Sequence, residues 1–308
     1  MDSLSSEPEK SCTEIKELIS ANSMASAPQE LSAEDIETYN QRGFVVFKDV
    51  FSSVEVTRIR QGMAQLCLMA YDGLKNDSFK GRKSDGPNGK WSLSRKEGKF
   101  SVQFESSIDI HNVEREELTH SYRKLMSFEE EDPLFEGLDA HPILSTYRNQ
   151  LLGKDSILSQ TMALSKPARF GIEKPWHQDN AYFTIAPLED VMGIWMAIDD
   201  ATLENGCMHF VPQPRYGGSV YKHIRNTDCE ISKEDLALDQ QIAVEVPAGG
   251  AIFFQGMAPH QTPPNLSSQG RRALQWHYRG ANTNFLKQEE YDELFKTSDG
   301  RPASCSHT

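Results

Sequence analysis

Residues 190–212 read DVMGIWMAIDDATLENGCMHFVP. An apolar run at 191–198 gives way to the turn signal Glu204-Asn205-Gly206, and a second short apolar run follows at once. Runs this short, bounded by turn residues, fit buried strands better than helices. The alternation continues on both sides, in ILSQTMALS, QIAVEVP, GAIFFQG and RRALQWHYR. Before Gly153 the pattern is mostly helical. Helices first and many short strands afterwards predict a mainly β, α+β chain. Its strands form an antiparallel double sheet or barrel, with helices packed on one outer face.

The helical half has local start and stop signals. LSAEDIETYNQRG predicts a helix capped by Ser32, with Asp35 at the third helical position and Gly43 at its end. FVVFKDV predicts a buried strand. Ser52 and Glu55 predict a capping box for a second helix, along which Val56, Ile59, Met63 and Cys67 recur at helical spacing. Helical signals follow at 114–127 and at 141–152, the latter closed by Gly153. Residues 1–30 carry seven serines and six acidic residues against two basic ones, so a disordered tail is expected there. Residues 31–308 are then a single domain.

Composition narrows the functions. Apolar residues make up 38% of the 308 and charged residues 25%, which supports a packed core. The net charge of −13 argues against a nucleic-acid partner. No apolar run has membrane-spanning length, so no membrane partner is expected. The terminal Ser306-His307-Thr308 is not a peroxisomal tripeptide. The five cysteines (12, 67, 207, 229 and 305) contain no C-x-x-C pair, which predicts reduced thiols in a cytoplasmic protein, with Cys207 in the core.

The polar stretch 72–105 interrupts this pattern. Between 80 and 99 it holds seven basic residues against Asp85 and Glu97. It reads either as a solvated surface loop or as a lid that draws in an anionic substrate. As a lid, Lys83, Lys90 and Arg95 would contact the acid group, and Trp91 would pack over the carbon skeleton.

Chemistry concentrates in EKPWHQDNAYF, residues 173–183. His177 and Asp179 stand at i and i+2, on one face if the segment is a strand. His177 is the only histidine of the nine with an acidic residue at that offset; His111, His120, His141, His209, His223 and His277 read as structural or surface. Farther on, GAIFFQGMAPHQTPPN places His260 at the exit of another apolar strand. Two imidazoles and one carboxylate make the facial triad of non-haem Fe(II) oxygenases, which leaves coordination positions open. 2-Oxoglutarate would fill two of them and dioxygen the third. The distal carboxylate of 2-oxoglutarate then needs a cation, and Arg271 opens the strand RRALQWHYR. Alternation puts Arg271 with Ala273 and Gln275 on one face, and Arg272 with Leu274, Trp276 and Tyr278 on the other. Thr262 shares the face of His260 and offers a hydroxyl to the same carboxylate.

These segments resemble the phytanoyl-CoA dioxygenase family of Fe(II)/2-oxoglutarate oxygenases over roughly residues 32–281. WHQDNAYF is similar to its H-Q-D segment. IWMAIDDATLENGCMHFVPQP is similar to its W-x-A-x-D and N-G-x-L run. GGAIFFQGMAPHQTPPNLSSQGRRAL is similar to its distal His, Asn and Arg stretch. The resemblance implies a double-stranded β-helix (jelly-roll, cupin-like) core with flanking helices. It implies iron on His177, Asp179 and His260, and 2-oxoglutarate held by Arg271 and Thr262. Gln160 and Trp195 match further positions at the co-substrate pocket. One departure is the family's P-G-S-H-K turn, which is here Pro212-Gln213-Pro214-Arg215-Tyr216; it bears on the substrate rather than on the chemistry.

The implied reaction is hydroxylation of an unactivated C–H bond of a small organic or acyl substrate, with release of succinate and carbon dioxide. A carboxylate ligand at Asp179 favours this over halogenation. Gln178 and Tyr182 are further candidates for substrate contact. The alternatives are a desaturase, epimerase or ring-forming oxidase on the same iron, or a non-catalytic jelly roll that binds a ligand. A monomer or homodimer is expected.

Overall fold

The two runs that frame the turn at 204–206 end in different sheets. In the computed structural model, which describes residues 15–84, 89–225 and 228–296, strand Val191–Ala197 belongs to a nine-stranded sheet and strand Met208–Phe210 to a five-stranded one. The large sheet runs from Phe44–Phe47 through Ala251–Gln255, Val191–Ala197, Arg271–Arg279 and Ile157–Lys166. It continues through Tyr122–Met126, Ser101–Phe104 and Trp91–Arg95 to Phe79–Lys83. The small sheet runs Glu17–Ile19, Ile242–Val244, Met208–Phe210, His260–Thr262, Lys174–His177. One apolar cluster joins the sheets: Phe44, Trp195, Ile252 and Phe254 of the first meet Met208, Phe210 and Val244 of the second. Two facing sheets linked by crossing strands form the double sheet that the turn pattern predicts and the jelly-roll core that the resemblance implies.

Alternation assigns the other face of the large sheet. Ile194, Met196, Phe253, Leu274 and Trp276 turn outward and pack with Val56, Ile59 and Met63 of helix Ser53–Lys75 and with Leu144 and Tyr147 of helix Pro142–Leu151. A strand covered on both faces has no polar side, which is why 191–197 is apolar throughout. Both capping boxes form as expected, on Ser32/Asp35 and Ser52/Glu55. Gly43 closes the first helix in the left-handed region at φ 86°.

Four expectations are corrected. Residues from 15 to 30 are not a tail: Glu17–Ile19 pairs in parallel with Ile242–Val244, and Met24 is buried. Their polar composition hides this because an edge strand gains its hydrogen bonds from a distant partner. Residues 1–14 and 297–308 lie outside the described residues, as do 85–88. The stretch 72–105 is not a structureless loop but contributes three strands, Phe79–Lys83, Trp91–Arg95 and Ser101–Phe104, to the large sheet. The helix expected over 114–127 stops at Ser121, and Tyr122–Met126 is a strand held between Ser101–Phe104 and Ile157–Lys166. Pairing on both sides overrides local helical propensity. Finally, Cys67 and Cys207 are free and buried, but Cys229 is disulfide-bonded. Sequence spacing does not reveal which cysteines meet in space.

Gly193 positions the site from behind. It pairs with Phe254 on one side and His277 on the other. A Cβ there would stand 2.2 Å from the Phe254 ring. The bare backbone lets that ring settle edge-on against His260, with centroids 4.9 Å apart.

Candidate metal centre and its cavity

Strand Lys174–His177 lies antiparallel to His260–Thr262, and the register puts His177 directly opposite His260. Their rings stand 4.2 Å apart. The strand ends at His177. Asp179 is already in helical backbone, φ −60° and ψ −34°, ahead of the short turn Asn180–Phe183. The side-by-side placement therefore comes from a strand end running into a helical turn, not from strand alternation. Asp179 Oδ1 lies 3.4 Å from His177 Nε2 and 3.7 Å from His260 Nε2. One donor atom from each of the three residues lies within 4.8 Å of the others, and all three residues are buried.

The donor set fits a metal ion in detail. His177 Nδ1–H donates to the Pro175 carbonyl at 2.8 Å, and His260 Nδ1–H donates to the Ala258 carbonyl at 3.0 Å. A carbonyl only accepts, so the proton sits on Nδ1 and each Nε2 lone pair is bare. Burial pushes the His260 imidazole down to about 3, with His177 adding to the effect, so it is neutral at physiological pH. Burial by itself would raise the Asp179 carboxyl. His277, whose Nε2 stands 2.9 Å from Oδ2, outweighs that and holds it well below the usual carboxylate range. Two imidazoles held through Nδ1 and one carboxylate suit a divalent cation such as Fe(II).

His277, expected to be structural or at the surface, belongs to this centre. Its Nε2 stands 2.9 Å from Asp179 Oδ2, so it engages the oxygen turned away from the two imidazoles. The signal was present in the strand parity that places Arg271 inward, because 277 shares it. Groups that orient a ligand typically matter about 10–100-fold in metal affinity. His277→Ala is accordingly expected to weaken Fe(II) binding by that factor, read by competition with a chelating dye. An unchanged affinity would show that Asp179 is held without it.

Arg271 and Arg272 separate as alternation predicts. Arg272 donates to Asp199 through Nε at 2.7 Å and through its terminal nitrogen at 2.9 Å, on the helix-covered face. Arg271 is 2% exposed and faces the other way, its guanidinium 5.2 Å from the centre of the Trp195 ring. It donates to the Gly206 carbonyl at 2.9 Å, while its Nε has no partner and no carboxylate pairs with it among the described residues. Gly206 is required for this: it sits at φ 84°, and a Cβ would meet the Pro263 carbonyl at 2.3 Å. Burial pushes the Arg271 guanidinium down to about 10, so it stays charged. A buried cation without a counter-ion favours an anionic ligand.

The metal-ligand cluster and Arg271 line one cavity of about 440 Å³, together with Gln160, Trp195, Thr262, Tyr182 and His277. Lys166 Nζ bridges the Ile172 and Thr262 carbonyls beside it. Not every candidate reaches this space. Gln178 spends its amide on the Ser219, Met257 and Tyr221 backbones, so it is a scaffold residue. Of the three basic candidates of the polar stretch, Lys90 lines the cavity. Lys83 is exposed, and Arg95 is ion-paired with Glu131 and packed on Phe79. Trp91 meets His111 edge-on.

A family model described as Phytanoyl-CoA dioxygenase (PhyH) matches residues 39–273. The chain belongs to the phytanoyl-CoA dioxygenase family. It is 25% identical to a phytanoyl-CoA dioxygenase of Arabidopsis thaliana, over 80% of this chain and 88% of that protein. It is 30% identical to phytanoyl-CoA dioxygenase domain-containing protein 1 of Rattus norvegicus, over 47% of this chain and about half, 53%, of that protein. Among solved structures, EctD from S. alaskensis with bound Fe superposes with a TM-score of 0.60 at 16% identity, covering 95% of this chain and 90% of EctD. EvdO2 from Micromonospora carbonacea var. aurantiaca, complexed with 2-oxoglutarate, gives 0.56 at 23% identity, over 89% of this chain and all of EvdO2. The carbocyclase SnoK from nogalamycin biosynthesis gives 0.57 at 19%, over 90% and 91%. The cofactor set is Fe(II), with 2-oxoglutarate and O2 as co-substrates. No helix among the described residues is long and apolar enough to cross a membrane.

Proposed function

We propose that this dioxygenase hydroxylates an unactivated C–H bond of a small organic substrate. The observation that supports it is one cavity joining the buried His177, Asp179 and His260 donors to Arg271, which has no carboxylate partner among the described residues. Iron with 2-oxoglutarate and dioxygen supplies the oxidising power, and 2-oxoglutarate leaves as succinate and carbon dioxide. The chain's residues do the rest. His177 and His260 present their Nε2 atoms, and Asp179 supplies the one anionic ligand. Arg271 takes the distal carboxylate of 2-oxoglutarate with its planar fork, assisted by the Thr262 hydroxyl. Trp195 and Gln160 bound the co-substrate. Tyr182 and Phe183 close the wall beside His177 and exclude water.

Ring formation and epimerisation are the second reading, because SnoK is described as a carbocyclase on the same fold. The protein is read as working on a small molecule, as a monomer or homodimer. The test is a screen for substrate-stimulated succinate release by purified, iron-loaded protein under labelled oxygen gas. Hydroxylation puts one labelled atom into the product for each succinate. A product that has lost two hydrogens and gained no label would overturn hydroxylation and leave the oxygenase class intact.

A further inference from the structure

Six cationic side chains line the cavity, Lys90, Arg123, Lys124, Lys166, Lys174 and Arg271, against the carboxylates of Asp179 and Asp228. This is a concentration of positive charge in a chain of net −13. Four of the six have assigned work. Arg271 stands by the co-substrate, and Lys166 holds two carbonyls. Lys174 pairs with Asp228 at 2.8 Å, and Arg123 pairs with Glu105 at 3.3 Å. Lys90 and Lys124 remain. Among the described residues, neither ammonium has a hydrogen bond or an ion pair.

Both are placed by the sheet. Ser92, Gln103, Lys124 and Leu164 stand opposite one another in a row across four strands. Lys90 precedes Ser92 by two residues, on the same face by alternation. It is fixed there by Ser84, whose backbone N–H donates to the Lys90 carbonyl at 3.0 Å and whose hydroxyl accepts from the Lys90 N–H at 2.9 Å. Burial, with Lys174, Arg123 and Lys90 nearby, pushes Lys124 down to about 8. Burial also pushes Lys90 below its ordinary value, with Arg123 beside it. A half-buried ammonium among like charges is costly, and an anion between Lys90 and Lys124 would relieve both.

We propose that Lys90 and Lys124, with the Gln103 amide, form a subsite for the carboxylate of the substrate, which is a compact organic acid. This rests on the oxygenase reading above. The strand of Lys124 lies two strands from that of Arg271 and His277. At about 4.8 Å per strand the sideways separation is about 10 Å, and the row of Lys124 and Leu164 meets that strand at Ala273, four residues (roughly 13 Å) before His277. Roughly 16 Å of sheet, less the reach of the lysine, therefore lies between Lys124 and His277. Met162, Leu164, Ile172 and Phe183 supply apolar wall to the cavity. An acid group at Lys124 thus directs an apolar skeleton toward the metal centre. The volume of about 440 Å³ must also hold 2-oxoglutarate, which favours a compact acid over a nucleotide-bearing ester.

Calorimetric titration tests this without turnover. Protein loaded with Zn(II) in place of iron and saturated with 2-oxoglutarate is titrated with hexanoate, adipate, hexanamide and hexanoyl-CoA. At least one acid is expected to bind, more weakly as salt rises, and at least about tenfold better than the neutral amide. Lys124→Met and Lys90→Met are each expected to weaken acid binding by about tenfold or more, and Lys124→Arg to restore part of it. Lys83→Met, on the exposed side of the sheet, is expected to leave it unchanged. The subsite is overturned if no acid binds, if the amide matches the acids, if only the CoA ester binds, or if both methionine variants keep wild-type affinity. The preceding 2-oxoglutarate titration separates the two claims. Its failure sinks the oxygenase reading, whereas its success without acid binding sinks the subsite alone.

Discussion

Replacing either His177 or His260 with Ala is expected to abolish turnover and the weak visible charge-transfer band that Fe(II) and 2-oxoglutarate give under anaerobic conditions. Each imidazole supplies a bare Nε2, fixed by the carbonyl two residues upstream. The fixed tautomer means that neither ring must reorganise before it binds. Removing one leaves a single imidazole and Asp179, below the three protein ligands of a facial triad. Loss of a ligand exceeds the loss of a group that only orients one, so the effect should surpass the 10–100-fold range for His277. Anaerobic absorption spectroscopy with a dialysed iron count checks this. A band that survives in both single variants would mean that the metal sits elsewhere.

Much of this centre was legible because the relevant signals are local. A capping serine and its acidic partner lie three residues apart, as at Ser32 and Ser52. Strand parity needs one strand, and it separates Arg271 from Arg272 correctly. His177 and Asp179 were found by spacing, although a strand end and a helical turn produce the placement that alternation was expected to give. What escaped depends on pairing across long separations. Lys124 faces the cavity because Tyr122–Met126 is trapped between two strands, and nothing in its own five residues says so. The 15–30 segment is ordered by the distant Ile242–Val244. The basic stretch illustrates both sides: its charge did point to the cavity, through Lys90 on a sheet wall, but the strands that carry it there are not visible in its composition. His277 was missed for a different reason. The parity that found Arg271 already placed it inward, but no acidic neighbour in sequence drew attention to it.

Arg271→Ala is expected to raise the 2-oxoglutarate requirement by about 100-fold or more, and Arg272→Ala is expected to leave it near the wild-type value. Removing one partner of a buried charge pair costs about 3–5 kcal/mol, and about 1.4 kcal/mol corresponds to a tenfold change. The adjacent arginines differ in what they already touch. Arg272 is satisfied by Asp199, which also receives Arg60 at 3.0 Å. Its removal should therefore appear as lost stability of about 1–3 kcal/mol in urea denaturation, limited by partial exposure and by the remaining Arg60. Among the described residues Arg271 has no such carboxylate, and its Nε is buried and bare. Its removal relieves an uncompensated charge in the free protein, so stability should hold or rise while co-substrate affinity collapses. Arg271→Lys sharpens the comparison. A lysine keeps the charge but not the two-pronged geometry or the stacking on Trp195, so only part of the affinity should return. If Arg272→Ala gave the larger loss of 2-oxoglutarate affinity, the assignment of the inward face would be wrong. If Arg271→Ala lost stability and kept its affinity, the arginine would be a strut for the 204–206 turn through Gly206, and the co-substrate carboxylate would need another cation.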